Sequence, residues 1–408
     1  MWIGSALAGI GGQLTIVTVM LHVFDLTAST FAVSMIAVAG LAPMILAGLY
    51  GGMLADAFDR RRVALIAASV AFASTALLAA LTWTRTETIW WLYALSMITA
   101  AANSVAMATR TAIVPRLIPR DQLAAASALN GISFGLTVMV GPAVAGILVA
   151  LTGFGWTYTV DVILMLSMFL GLWTLPALRP EGAIVRPGLA SLIDGWQFLR
   201  RAANIRMQYL LDIAAMTFGQ PLALFPALGA VLLGGGAITT GALTAAVAVG
   251  TFASSLFSGR VVRYRWHGRG IARAVQAYGA AIALFGIVLL VGALVSPPWV
   301  SEPNLVLIAL ACFALALSGA ADNVSSIYRN TMMQASVPDS IRGRLQGVFV
   351  IVVTGGPRVG ALYAGTLATL TSLWFPPLLG GIIVIVLVAI LVRLTPRFRD
   401  YDAENPVP

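Results

Sequence analysis

Twelve long apolar runs, parted by short charged or turn-rich stretches, constrain this 408-residue chain more than any other feature. They fall at about 1–24, 31–55, 63–83, 89–113, 124–150, 155–177, 206–232, 237–258, 271–295, 304–330, 341–371 and 376–395. A hydrocarbon layer about 30 Å thick takes roughly 20 apolar residues per helix, so each run is long enough to cross a bilayer. Backbone groups in lipid must be satisfied within the chain, which makes each run a helix. Only 10% of the residues are charged against 60% hydrophobic, whereas a soluble domain carries about a quarter charged. Nothing basic precedes or interrupts residues 1–24, so this stretch is read as a first span rather than a signal peptide.

All 24 basic residues are arginine, against 15 acids. Alternating the loops between two sides places the arginines at 60–62, 116, 120, 179, 186, 200, 201, 206, 260, 263, 265, 269, 273, 342, 344, 393, 397 and 399 together, with Arg85 opposite. Basic loops stay inside, so both termini and the central linker are expected in the cytoplasm. Spread over short loops, this charge makes no nucleic-acid patch. The expected organisation is an N-terminal six-helix bundle (1–177), a linker (178–205), a C-terminal six-helix bundle (206–395) and a cytoplasmic tail (396–408). In the linker Leu189, Leu192, Ile193, Trp196 and Leu199 recur at helical spacing beside Arg200 and Arg201, which fits a helix lying on the inner surface.

The two halves repeat. Gly12-Gln13 and Gly52 return as Gly219-Gln220 and Gly259 at an offset of 207, and Arg110 returns as Arg329 at 219. Gly141-Pro142 is echoed by Gly356-Pro357 at 215, which pairs Arg358 with Ala143. Parallel six-helix repeats about a midplane cavity are the architecture of alternating-access transporters.

Between the second and third runs stands GGMLADAFDRRRV. Its Gly52, Asp56, Arg60 and Arg61 resemble the loop motif of the major facilitator superfamily, with Asp59 where the motif has a second glycine. Asp56 sits at the C-terminal end of its helix, where a carboxylate is disfavoured by about 0.3–1 kcal/mol, so it calls for a partner. The resemblance implies that this partner is the start of span 11, Asp339 to Arg342, and that the contact is a cytoplasmic gate. Span 5, with Gly141, Pro142 and Gly146, resembles the antiporter motif of superfamily exporters. Small residues there also serve close helix packing in any bundle. The stretches DIAAMTFGQPLALFPAL from Asp212 and ADNVSSIYRNTMMQASVPDSIRGRLQGVFVIVVTGGPRVG from Ala321 resemble the enterobactin-exporter-like branch found in bacteria.

Charges inside spans are expensive and need a reason. Arg110 and Arg329, near the cytoplasmic span ends, are read as snorkelling, and Asp161, near the outer end of span 6, as structural. Asp212, Asp322 and Arg358 lie deeper and are the candidates for transport or coupling, with an Arg358 ion pair to either aspartate as the structural alternative. Gln13 and Gln220, related by the repeat, are candidate cargo contacts. No Walker loop, serine triad or metal cluster is visible: Cys312 is the single cysteine, and the histidines are His22 and His267, the latter in a degenerate second copy of the loop motif. The expectation is an all-α membrane protein of the major facilitator fold, without cofactor or metal and not an enzyme. It would work as a proton-driven exporter of a siderophore or drug-like small molecule. An importer or facilitator of another metabolite, a transport-inactive sensor or scaffold, and a lipid-modifying enzyme are the alternatives.

Overall fold

The computed structural model describes residues 2–117, 119–174, 196–295 and 302–408. Among them all long elements are helices: α1 (Trp2–Thr27), α2 (Thr30–Ala57), α3 (Arg60–Thr84), α4 (Ile89–Leu117), α5 (Leu123–Trp173), α6 (Ala203–Phe218), α7 (Gly236–Ser255), α8 (His267–Val295), α9 (Leu305–Ser336), α10 (Asp339–Leu370) and α11 (Phe375–Leu394). Ten described segments are long and apolar enough to cross a membrane. One of them, Leu129–Trp173, covers 45 residues and breaks at Gly153, whose φ of 81° suits a residue without a Cβ. α5 therefore supplies runs five and six as two arms. Run eleven is the 32-residue α10, and apart from run seven the helix bounds lie within about six residues of the apolar runs.

The chain forms two compact units, Met1–Pro187 with Gly236–Ala245, and Gly188–Gly235 with Ala246–Pro408. In the first, α1 lies along α5, α2 packs on α4, and α3 lies against α4 and α5. In the second, α6 packs on α10, and α8 lies between α9 and α11. Close approach is bought with small residues: Gly146 of α5 faces Ala237 and Gly241 of α7, and Gly250 and Gly319 join α7 to α9.

Run seven is interrupted. α6 ends at Gly219, and the chain continues through Gln220 and Pro221 into short turns and a π-helical Leu228–Leu232. A backbone carbonyl freed by such a break needs a new donor. The buried Tyr278 hydroxyl of α8 donates to the Gly219 carbonyl at 2.6 Å.

The C-terminal tail is docked rather than loose. Phe398 and Tyr401 are buried, Arg265 holds Asp402 through two hydrogen bonds of 2.9 and 2.7 Å, and Arg269 reaches Asp400 at 2.6 Å. Asn204 donates to the Val407 carbonyl at 2.9 Å. The loop around His267, read as a worn second copy of the motif, is thus built into this clasp: its ring lies 5.2 Å from that of Tyr328 and 6.4 Å from that of Tyr401, and Gly268 abuts Phe398. Of the linker, Trp196 is exposed and Leu199 buried, while Leu189, Leu192 and Ile193 lie outside the described residues.

Candidate functional site

Glycine contacts fix how the two halves correspond. Gly9 meets Thr137 and Gly141 meets Gln13 in the first unit; Gly356 meets Met216 and Gly360 meets Gln220 in the second. Gly11 receives Asp161, and Gly380 receives Phe218. In all three pairs the α1/α6 residues differ by 207 positions and the later residues by 219. The glycine-proline echo at 215 is therefore a displacement. Gly356-Pro357 stands one helical turn before the true counterpart of Gly141-Pro142, and Arg358 corresponds to Met139, not Ala143. Gln13 and Gln220 do occupy equivalent half-buried places, each against a glycine of the helix that follows it in the packing.

The deep charges meet on one arginine. α6 exposes Arg206, Leu210 and Ile213 along one face, and Ile205, Gln208, Asp212 and Ala215 share a buried stripe. Arg329 of α9, only 6% exposed, donates through one guanidinium nitrogen to Asp212 Oδ1 and through the other, at 3.3 Å, to Asp322 Oδ1. Asp322 precedes Arg329 by seven residues, two turns along the same face of α9. Asp212 is almost fully buried, whereas the Asp322 side chain is 40% exposed. Among the described residues Asp212 Oδ2 and Arg329 Nε are buried without a hydrogen-bond partner.

This corrects the reading of Arg329 as a snorkelling residue. A guanidinium this deep has its head among carboxylates rather than at an interface, and Asp212 on a separate helix is what draws it inward. The two aspartates were legible from depth. Their partner was not, although the i, i+7 spacing of Asp322 and Arg329 carried the signal. The first half keeps Arg110, half-buried, but has Ser5 and Asn103 at the places of Asp212 and Asp322. Arg358, half-buried, donates to the Thr354 carbonyl one turn back at 2.6 Å.

At the expected gate, Asp59 caps α3, its carboxylate accepting from the Arg61 amide at 3.0 Å. That role explains an aspartate where the motif has glycine: the chain enters a helix here with negative φ, and a capping oxygen is worth more than conformational freedom. The Arg61 side chain donates to the Trp173 carbonyl at the end of α5 at 2.9 Å. Arg60 opens α3 and is half-buried. The side chains of Gly52, Asp56, Asp339, Ser340 and Arg342 lie outside the described residues.

The family model described as transmembrane secretion effector matches residues 1–408, the whole chain. The protein belongs to this family of the major facilitator superfamily. Among curated proteins, this chain is 27% identical over 391 residues to the enterobactin exporter EntS of Shigella boydii serotype 18, covering 94% of this chain and 89% of the relative. It is 26% identical over 397 residues to EntS of Citrobacter koseri, covering 96% and 90%. Among solved structures, the nucleoside transporter NupG superposes with a TM-score of 0.71 at 15% identity, over 96% of this chain and 97% of that one. The E. coli xylose transporter XylE gives 0.71 at 13%, over 99% and 97%. At such identities these structures speak for the fold alone, and the fold is that of a multi-pass membrane transporter.

Proposed function

We propose that the protein is a proton-driven exporter of a siderophore or drug-like small molecule, working by alternating access in the bacterial cytoplasmic membrane with both termini inside. The observation that carries the proton is the sharing of Arg329 by Asp212 and Asp322. Two carboxylates on one permanently charged guanidinium leave an excess of one negative charge in the membrane when both are ionised. Taking a proton onto either removes that excess. Asp322, the more exposed and more distantly held, is the acid that exchanges it, and Asp212 is the fixed anchor of the arginine. A proton does work only if its binding favours one access state over the other. Release of Asp322 from Arg329 supplies that difference.

The cargo class rests on the enterobactin exporters among the relatives, and export rests on them and on the span 5 motif. Gln13 and Gln220 are proposed cargo contacts, Arg358 a fixed positive charge for an acidic cargo, and Gly52, Asp56, Arg60 and Arg61 the cytoplasmic gate. The test is transport by the purified protein in proteoliposomes with an imposed pH gradient, screened over catecholate and hydroxamate siderophores and cationic drugs. Uphill movement of one class, with counter-movement of protons, is the expected result. Movement of a substrate only downhill, indifferent to the gradient, would overturn proton-driven export in favour of a facilitator.

A further inference from the structure

The first unit holds a second buried acid. Asp161, on the second arm of α5, is fully buried, and its described partner is the Thr15 hydroxyl of α1, which donates to Oδ2. Among the described residues Oδ1 is buried without a hydrogen-bond partner, and it lies against Gly11, where a side chain would collide with it. No arginine or histidine forms an ion pair with it among the described residues. An ionised carboxylate in such a place is strongly disfavoured, and a bound proton removes the charge. The corresponding position in the second unit is Gly380, so the repeat does not demand an acid there.

A ladder of titratable groups leads away from Asp161 along the same helix seam. Tyr158, three residues earlier on the α5 arm, is fully buried and its hydroxyl lies 3.3 Å from His22 Nδ1. His22 is two turns beyond Thr15 on α1, buried and stacked on Phe154 with ring centroids 4.3 Å apart. Its Nε2 lies 3.6 Å from Glu87 Oε1 in the α3–α4 connection. Asp25, exposed one turn further along α1, adds a second negative charge near the imidazole. An imidazole with a hydroxyl on one nitrogen and a carboxylate beside the other accepts and gives up a proton with little rearrangement.

We propose that Asp161 is a proton-binding site in the N-terminal half, loaded from the α3–α4 end of the unit through Glu87, His22 and Tyr158. Loading places one proton on a carboxyl oxygen of Asp161 and makes or breaks no other covalent bond. The site is separate from the Asp212–Arg329–Asp322 cluster and requires no cargo, so it stands or falls independently of the function proposed above.

The test is infrared difference spectroscopy on the full-length protein in lipid, titrated with protons alone. A carboxylic-acid C=O band that exchanges with D2O should be present in the wild type and in Asp322→Asn, which lacks the exchanging acid of the other cluster, and absent when Asp161→Asn is combined with Asp322→Asn, which should bind one proton fewer than Asp322→Asn alone. His22→Gln should slow exchange at that band by on the order of tenfold or more, as loss of a positioned proton carrier does. If Asp161→Asn fails to insert, Thr15→Val reads the same acid, because loss of its hydroxyl must move the band to higher frequency. With Asp322→Asn as the background throughout, a band that persists when Asp161→Asn is added, is unmoved by Thr15→Val, or exchanges at the unaltered rate in His22→Gln overturns the site or its route.

Discussion

Arg329 is held by two carboxylates in a place where neither it nor Asp212 can reach water, so each depends on the other. Removing one member of a buried ion pair commonly costs about 3–5 kcal/mol, while removing both charges costs far less. Arg329→Gln should therefore lower the melting temperature in detergent markedly, and Asp212→Asn combined with Arg329→Gln should recover most of the loss. Additive losses in the double variant would show that the two side chains are not a pair. At this scale the sequence was half legible. Depth along the helix singled out Asp212 and Asp322 because charge in lipid is rare enough to be informative. Arg329 was misjudged because distance from a helix end says nothing about what a neighbouring helix presents. The surroundings of Asp161 were out of reach for the same reason, since the groove that receives it is made by Gly11, far away in sequence.

Helix packing tests the corrected repeat. Gly141 and Gly360 occupy equivalent contacts with Gln13 and Gln220, whereas Gly131 has open space where a Cβ would stand. Gly141→Val and Gly360→Val should each destabilise by about 1–3 kcal/mol through overpacking, and Gly131→Ala should be tolerated; thermal unfolding monitored by tryptophan fluorescence separates these outcomes. The apolar runs placed the helices well because length and hydrophobicity set them locally. Contact register between helices is a long-range property, which is why the glycine-proline echo suggested 215 where packing gives 219.

The docked tail is a further element that local pattern did not disclose. Asp400 is held down to about 2 from an ordinary 3.8 by hydrogen bonds from Arg399 and then Arg269, and Arg265 pulls Asp402 down as well. A carboxylate lowered in the folded state stabilises it above its ordinary value, and that contribution fades as acid protonates the folded form. The clasp should stay closed from neutral pH to about pH 4 and loosen progressively toward pH 2, given the value for Asp400. Hydrogen exchange of residues 396–408 across that range is the measurement. Unchanged protection at pH 2 would show that the buried Phe398 and Tyr401 hold the tail without the ion pairs.

For the whole molecule, the arginine distribution sets an orientation that labelling reads directly. With Cys312 replaced, single cysteines near Arg85 and Glu302 should react with an impermeant reagent in intact cells, and those near Arg62 or Arg186 should not; the reverse pattern would invert the topology. The central claim is that a proton on the shared carboxylates drives cargo outward. Its most direct measurement uses inside-out vesicles that contain the wild type, Asp212→Asn or Asp322→Asn, supplied with a labelled catecholate siderophore. Wild-type vesicles with an acidic lumen should accumulate the siderophore uphill. Asp322→Asn should exchange it across the membrane yet fail to concentrate it. Uphill accumulation by both aspartate variants, with the pH dependence of the wild type, would contradict the account.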